Sequence, residues 1–254
     1  MPPTPPVLPA PPAPTPRWQQ AQAYEAAWWR QFEGTFNTGY LESLAGRVAR
    51  AVSPVLTVGL ETSVVEVGAG PVGVVAFLAA GRRVATDPLD ASFEAAPAYR
   101  VLREHARAGG AEYVAAMGEA LPFADATFDL YLTDNVLDHV QSPASALTEA
   151  RRVLRPGGAA YVRVHVYHGW GRAVRRAMET AVIDRGHPHT FSQAGLVRTA
   201  RAAGFEVVRQ TRSSFAERWV ADWRRGLGGS RKALVQALLG VTRADLELVL
   251  RRSE

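Results

Sequence analysis

At 254 residues and 27.5 kDa, with 47% hydrophobic side chains, the chain can bury a full core as one large α/β unit. It has no cysteine, which excludes disulfides, thiolate zinc sites, thiolate-held iron–sulfur clusters and a cysteine nucleophile. No apolar run approaches the roughly 18 residues of a membrane span. The net charge of +5 is uneven: residues 198–254 hold 12 Arg/Lys against 6 Asp/Glu, and residues 1–197 hold 17 against 18. Solvated helix faces account for that surplus, and an anion-binding face is the alternative.

Nine of the first sixteen residues are proline, so residues 1–16 read as an extended, disordered tail and not as a signal peptide. Residues 17–56 read as two helices. Tyr24, Trp28 and Phe32 continue a stripe from Ala21 and stop near Gly34, and Leu41, Leu44, Val48 and Val52 form a second stripe before Pro54. Core packing explains the aromatic stripe, and a cap over an acceptor pocket is the sharper reading.

From residue 63 the rhythm changes. Ser63–Val67, Val84–Thr86, Tyr113–Ala115, Phe128–Leu132, Tyr161–Val166 and Phe205–Arg209 read as strands, alternating with helical stretches near 71–80, 91–107, 144–154 and 192–203. That alternation predicts a doubly wound, mostly parallel, Rossmann-like sheet over residues 57–212. Residues 213–254 read as a basic helical extension, with no further strand visible after Thr211.

The run from Val64 to Gly73 passes from a buried strand through Gly68 and Gly70 into an expected helix, whose first amides would face a ligand. Its spacing is formally G-x-G-x-x-G, and Asp87 follows Gly70 by 17 residues at the end of the second strand, where it can accept from ribose hydroxyls. A dinucleotide and an adenosyl sulfonium both fit this much. Glu66 under the loop would repel a pyrophosphate and welcome a cationic amino-acid group, which favours the sulfonium.

Further motifs follow in order: Asp87-Pro88, Glu119-Ala120-Leu121-Pro122-Phe123 through Asp129, Asn135-Val136-Leu137-Asp138-His139-Val140, and Arg152 through Pro156-Gly157-Gly158. With Glu66-Val67-Gly68-Ala69-Gly70 they resemble the class I S-adenosylmethionine-dependent methyltransferases, in the small-molecule group called methyltransferase domain type 11. The resemblance covers residues 60–210. It implies S-adenosyl-L-methionine as cofactor. Glu66, Gly68, Ala69 and Gly70 would contact its methionine part, Asp87 and Pro88 its ribose, and Leu89 its adenine. Met117, Gly118 and Glu119 would lie along the adenine edge, with Asp134 and Asn135 at the methyl-transfer end. Met117 stands where the family usually has an acid that binds the adenine amino group, and a thioether accepts that bond poorly. The Arg152–Gly158 stretch would end a helix and turn into the fifth strand.

Methyl transfer is in-line displacement, so alignment of the reactants does most of the work. A hydroxyl acceptor would also need a base. His139, His168 and His189 are the candidates: His139 inside the family block, His168 beyond the fifth strand and favoured over His165, and His189 in the His187–Ser192 loop. Asp184, His187 and His189 offer ligands at metal-binding spacing, but such spacing is common by chance and no metal is expected. The expected partner is a small-molecule acceptor in the cytoplasm, with oligomeric state open. Asp134-Asn135-Val136-Leu137 is not the Asn-Pro-Pro-aromatic arrangement that grips a flipped base. A non-catalytic scaffold, an RNA or polyanion methyltransferase and a nicotinamide oxidoreductase remain alternatives.

Overall fold

The computed structural model describes residues 10–181, 183 and 185–254. The first nine residues of the proline-rich segment and Asp184 therefore lie outside the described residues. Helix α1 (Pro16–Arg30) starts at a proline and is capped by the Thr15 side chain, which accepts from the Trp18 amide. Helix α2 (Gly39–Val52) buries Leu44, Ala45, Val48 and Val52. Strand β1 (Ser63–Val67) is buried from Val64 onward, the pattern of a strand covered on both faces.

After β1 the expected helix over 71–80 is reduced to a four-residue 3₁₀ turn, Val74–Phe77. Pro71 and Gly73, the latter at φ +85°, keep it from growing, and Leu78 is already extended. Strand β2 (Arg82–Asp87) follows. The single helix expected over 91–107 is two, α3 (Asp90–Ala95) and α4 (Pro97–Ala108), because Pro97 lacks an amide N–H and holds Ala96 extended at ψ 114°. Next come β3 (Ala111–Ala115), β4 (Phe128–Asp134) and α5 (Pro143–Val153), the last capped by Ser142.

Strand β5 (Leu154–Tyr167) begins directly after α5. The turn expected at Pro156-Gly157-Gly158 is instead a bulge inside it: β4 advances from Phe128 to Leu130 while β5 advances from Leu154 to Ala159. Helix α6 (Gly169–Thr180) follows, with His168 at its N-cap. Helix α7 (Gln193–Ala202) starts at the expected cap, Ser192, whose hydroxyl accepts from Gly195 at 3.1 Å. Strand β6 (Phe205–Arg212) and helices α8 (Phe215–Leu227) and α9 (Arg231–Leu238) lead to β7 (Arg243–Arg252).

That last strand corrects the reading of residues 213–254 as helical throughout. Ala244, Leu246, Leu248 and Leu250 are buried and alternate with Asp245, Glu247 and Arg251. Leu and Glu favour helices in isolation, but the slot between β5 and β6 buries one side of a period-2 pattern. The sheet order is β3-β2-β1-β4-β5-β7-β6, parallel except for β7, which runs antiparallel to both neighbours. On one face α2 packs Leu44 and Val48 against Val64, Leu130, Leu132 and Tyr161. On the other, Leu147 of α5 and Leu196 of α7 pack with Val65, Tyr131 and Val162. Each such aliphatic contributes roughly 1.5–3 kcal/mol by leaving water. Among the described residues no helix is long and apolar enough to cross a membrane.

Candidate active site

Strand order reverses between β1 and β4, and a crevice opens outside the carboxyl ends of such strands. Here it has a volume of about 700 Å³ and is lined by Glu66, Gly68–Pro71, Asp87–Leu89 and Asp134–Val136, with residues of α1, α2, β5 and β7 on its remaining sides. Cavities of this size take small ligands.

The glycine loop is shaped by its neighbours. Gly68 sits at φ +73°, and a Cβ there would lie 2.3 Å from Val136 Cγ2, so both backbone and space require glycine. The Gly68 and Ala69 amides donate to the Thr86 carbonyl at 2.8 and 3.1 Å, and the Gly70 amide donates to Asp87 Oδ2 at 2.9 Å. Asp87 Oδ1 accepts from the Leu89 amide at 2.8 Å. Burial pushes the Asp87 carboxyl up to about 6 against the pull of these two amides. Glu66 is 3% exposed and accepts from the Val75 amide at 2.8 Å. Burial pushes its carboxyl up to about 8.

These bonds change the expected role of the loop. No α-helix follows it, and the Gly68, Ala69 and Gly70 amides already have protein acceptors, so a pyrophosphate would find few free donors and no α-helix N-terminus. It would also meet the carboxyls of buried Glu66 and half-buried Asp87. The dinucleotide reading loses its physical basis here.

The opposite side of the crevice is ionic. Arg163 Nη1 donates to Asp134 Oδ1 at 2.9 Å and to the Tyr40 hydroxyl at 2.8 Å, while its Nη2 reaches Asp245 Oδ1 at 3.2 Å. Arg218 also pairs with Asp245, and His165 Nδ1 lies 3.0 Å from Asp245 Oδ1. His165, Arg163 and Arg218 together hold the Asp245 carboxyl below the usual carboxylate range. Burial raises that of Asp134, and Arg163 opposes the rise. Asn135 adopts φ +59°, and its Oδ1 is buried without a hydrogen-bond partner.

Aromatic residues of the first helices complete the enclosure. Tyr24, Trp28, Trp29, Phe36 and Tyr40 line it. Trp29 is locked in place: the Tyr99 hydroxyl donates to its carbonyl at 2.6 Å, and its ring meets Phe93 and Phe36 edge-on at centroid distances of 6.0 and 5.9 Å. Its Cζ2 sits 3.1 Å from where a Cβ on Gly70 would be.

The sequence-derived candidates divide. Glu66, Gly68, Ala69, Gly70, Asp87, Pro88, Leu89, Asp134, Asn135 and His139 all line the crevice. Met117, Gly118 and Glu119 are not among its lining residues. Gly118 is packed against Val67, and the Glu119 carboxylate accepts from the Gln141 and Ser142 amides at 2.7 and 3.0 Å. His168 lies in a separate hollow of about 860 Å³ beside α7 and β6, its ring 5.4 Å from that of Phe215. His189 Nε2 lies 2.9 Å from the Val140 carbonyl, so that imidazole ties down a loop. His165, ranked below His168 on sequence, is the one that faces the crevice. Arg163, Tyr40, Asp245 and Trp29 went unrecognised. A charged residue inside an otherwise apolar fifth strand was the one available signal, for Arg163.

A Rossmann-like sheet whose switch-point crevice has an acidic floor and a glycine turn without a phosphate cradle defines the S-adenosylmethionine-dependent methyltransferase class. Residues 65–162 match the methyltransferase domain family. An uncharacterized methyltransferase of Mycolicibacterium gilvum (strain PYR-GCK) is 33% identical over 236 residues, spanning 84% of this chain and 90% of the relative. Another, from Mycobacterium sp. (strain KMS), is 34% identical over 146 residues, 55% of each chain. Of solved structures, the 4+2 cyclase SpnF superposes with a TM-score of 0.61 at 19% identity, over 96% of this chain and 98% of its own. Geranyl diphosphate C-methyltransferase from Streptomyces coelicolor A3(2), solved with Mg²⁺, geranyl diphosphate and S-adenosyl-L-homocysteine, gives 0.59 at 12% identity over 83% and 80%. The chain belongs to the methyltransferase family.

Proposed function

We propose that the protein transfers a methyl group from S-adenosyl-L-methionine to a small-molecule acceptor, with the cofactor on the β1–β2 side of the crevice and the acceptor on the β5–β7 side. The observation that carries this reading is the juxtaposition, in one cavity, of the Gly68–Gly70 turn and the carboxyls of Glu66 and Asp87 with an aromatic and ionic enclosure. The residues present fit the cofactor. Asp87 retains lone pairs for ribose hydroxyls, Leu89 offers an apolar surface to adenine, and the unpartnered Asn135 Oδ1 suits a cationic amino group. The bound cofactor supplies a methyl carbon on a positively charged sulfur.

The chain's own residues position the acceptor and handle its proton. Trp28, Trp29 and Tyr40 exclude water and hold an apolar body. Arg218, Lys232 and Arg243 line the acceptor side, which suits an acceptor bearing an anionic substituent. An acceptor oxygen or nitrogen that gains the methyl group would have a proton to lose, and His165, whose Nδ1 lies 3.0 Å from Asp245 Oδ1, would take it. Such a base contributes roughly 10²–10⁴-fold.

Calorimetric and thermal-shift titrations with S-adenosyl-L-methionine, S-adenosyl-L-homocysteine and NAD test the reading. A hundredfold excess over Kd should stabilise the protein by about 2.7 kcal/mol. Response to NAD alone, or to none of the three, overturns it.

A further inference from the structure

The loop after β4 and the loop before α7 bring three metal-ligating side chains together at the rim of the crevice. Asp138, His139 and His187 each offer one ligand atom, and those atoms lie within 4.8 Å of one another. Asp138 is 4% exposed, and its Oδ1 has no hydrogen-bond partner. An anionic oxygen so buried needs a cation.

His139 supplies the complementary observation. Its Nδ1 lies 2.8 Å from the Gly186 carbonyl. A carbonyl only accepts, so Nδ1 carries the proton and neutral His139 presents a bare lone pair at Nε2. That Nε2 lies 3.7 Å from Asp138 Oδ1, and His187 Nε2 lies 4.0 Å from Asp138 Oδ2. Two ligands each ~2.1 Å from one ion at near-tetrahedral angles are ~3.4 Å apart, so these two pairs close with shifts of a few tenths of an ångström, and the widest separation in the set closes by at most about 1.4 Å. A carbonyl holding the far nitrogen is also how metal-bound imidazoles are oriented. His189 fixes the same loop from behind, its amide donating to the Asp138 carbonyl at 3.3 Å. Glu25 Oε1, 3.6 Å from His139 Nδ1, adds negative charge nearby.

We propose that Asp138, His139 and His187 bind one first-row divalent metal ion, of which zinc is the type, at the acceptor end of the crevice. Two nitrogens and one carboxylate leave coordination positions open. His139 and His187 both line the crevice, so those positions face the acceptor and suit an oxygen or nitrogen group on it, whose proton the ion would make easier to lose. The sequence paired His187 with His189 and with Asp184, which lies outside the described residues; among the described residues the fold brings His187 beside two residues almost fifty positions upstream.

The test uses full-length protein stripped with a chelator and titrated with Zn²⁺ by calorimetry and with Co²⁺ by visible absorption. One equivalent should bind at micromolar Kd or tighter, with Co²⁺ giving ligand-field bands. Asp138→Asn and His187→Gln should each weaken binding at least ~10-fold. His105→Gln, on the exposed face of α4, should leave it unchanged. His187 is the less buried of the two ligands, so its variant serves if Asp138→Asn does not fold. Absence of binding below millimolar Zn²⁺, or equal affinity in His187→Gln, overturns the site. The measurement needs no cofactor. Zinc binding without S-adenosyl-L-homocysteine binding sinks the methyl-transfer reading alone, and the converse sinks the metal site alone.

Discussion

The two sides of the crevice hold their carboxyl groups by opposite means. On the β1–β2 side, Glu66 and Asp87 are buried against backbone amides, and burial raises both. On the β5–β7 side, Asp245 faces Arg163, Arg218 and His165, and is lowered. A raised carboxyl favours the folded state below its unfolded value, and that advantage drains away as pH climbs through the folded value. A depressed carboxyl does the reverse: its contribution is present above the unfolded value and lost as pH falls through the folded one. Glu66 and Asp87 therefore respond to pH with the opposite sign to Asp245, while Asp134, raised by burial against the pull of Arg163, follows the first pair. A cationic ligand group would relieve the first side, whereas the second is already neutralised from within.

The severest way to break the first side is steric. Gly68→Ala places a Cβ 2.3 Å from Val136 Cγ2 at φ +73°. Overpacking and a left-handed non-glycine residue together cost about 2–5 kcal/mol. Urea denaturation should show that loss, and calorimetry should show cofactor binding abolished. A variant of native stability with native affinity would mean the turn is not what receives the ligand.

Glu66→Gln comes next. The amide oxygen can still accept from Val75, but the side chain can no longer ionise. With the carboxyl at about 8 when folded against 4.5 when unfolded, the wild-type chain loses stability as pH rises from 4.5 to 8. At pH 7 the variant should be more stable by on the order of 3 kcal/mol, and the gap should close toward pH 4. The same group predicts proton release near pH 7 when S-adenosyl-L-methionine binds, because a cationic amino group favours the carboxylate. Calorimetry in buffers of different ionisation heat measures it. Equal proton release by wild type and Glu66→Gln would assign the proton to another group.

How much of this was visible beforehand depends on the range over which each feature is decided. The glycine loop, Asp87 and the Asp134-Asn135 pair are local motifs at strand ends, and all of them line the crevice. The 71–80 segment resembles a helix because its apolar residues fit a helical period, but Pro71 and Gly73 break it and leave only the turn of Val74–Phe77. Strand β7 went unseen for a different reason. Its Leu-Glu-Leu-Val-Leu run has helical propensity, and only neighbours far away in sequence choose the strand. With β7 missing, Asp245 could not be placed, and without Asp245 nothing favoured His165 over His168. The three-residue cluster at Asp138 was equally out of reach, since its members meet only when two loops converge.

The second side breaks at Asp245. Asp245→Asn keeps the shape but removes the charge that balances Arg163 and Arg218 beside a 16%-exposed carboxylate. Partial exposure softens the penalty for stranded guanidiniums to about 1–3 kcal/mol. Turnover of any acceptor that must lose a proton should fall more than affinity for the cofactor, because the imidazole of His165 loses its orienting partner. Loss of cofactor affinity with unchanged turnover would place Asp245 on the other side of the comparison.

The same strand carries the mildest test. Arg251 of β7 and Glu206 of β6 pair at 2.6 Å, but their side chains are 47% and 54% exposed. Water screens such a pair and the long side chains surrender conformational freedom to form it, so Glu206→Ala should change stability by less than about 1 kcal/mol, and by less still in high salt. Cofactor affinity should stay put. Asp245 and Arg251 lie six residues apart on one strand, so a larger effect at Glu206 than at Asp245 would show that strand anchoring outweighs the charge network in stabilising this half. The contrast drawn between the two sides of the crevice would then have to be redrawn as one of sheet edge against sheet centre.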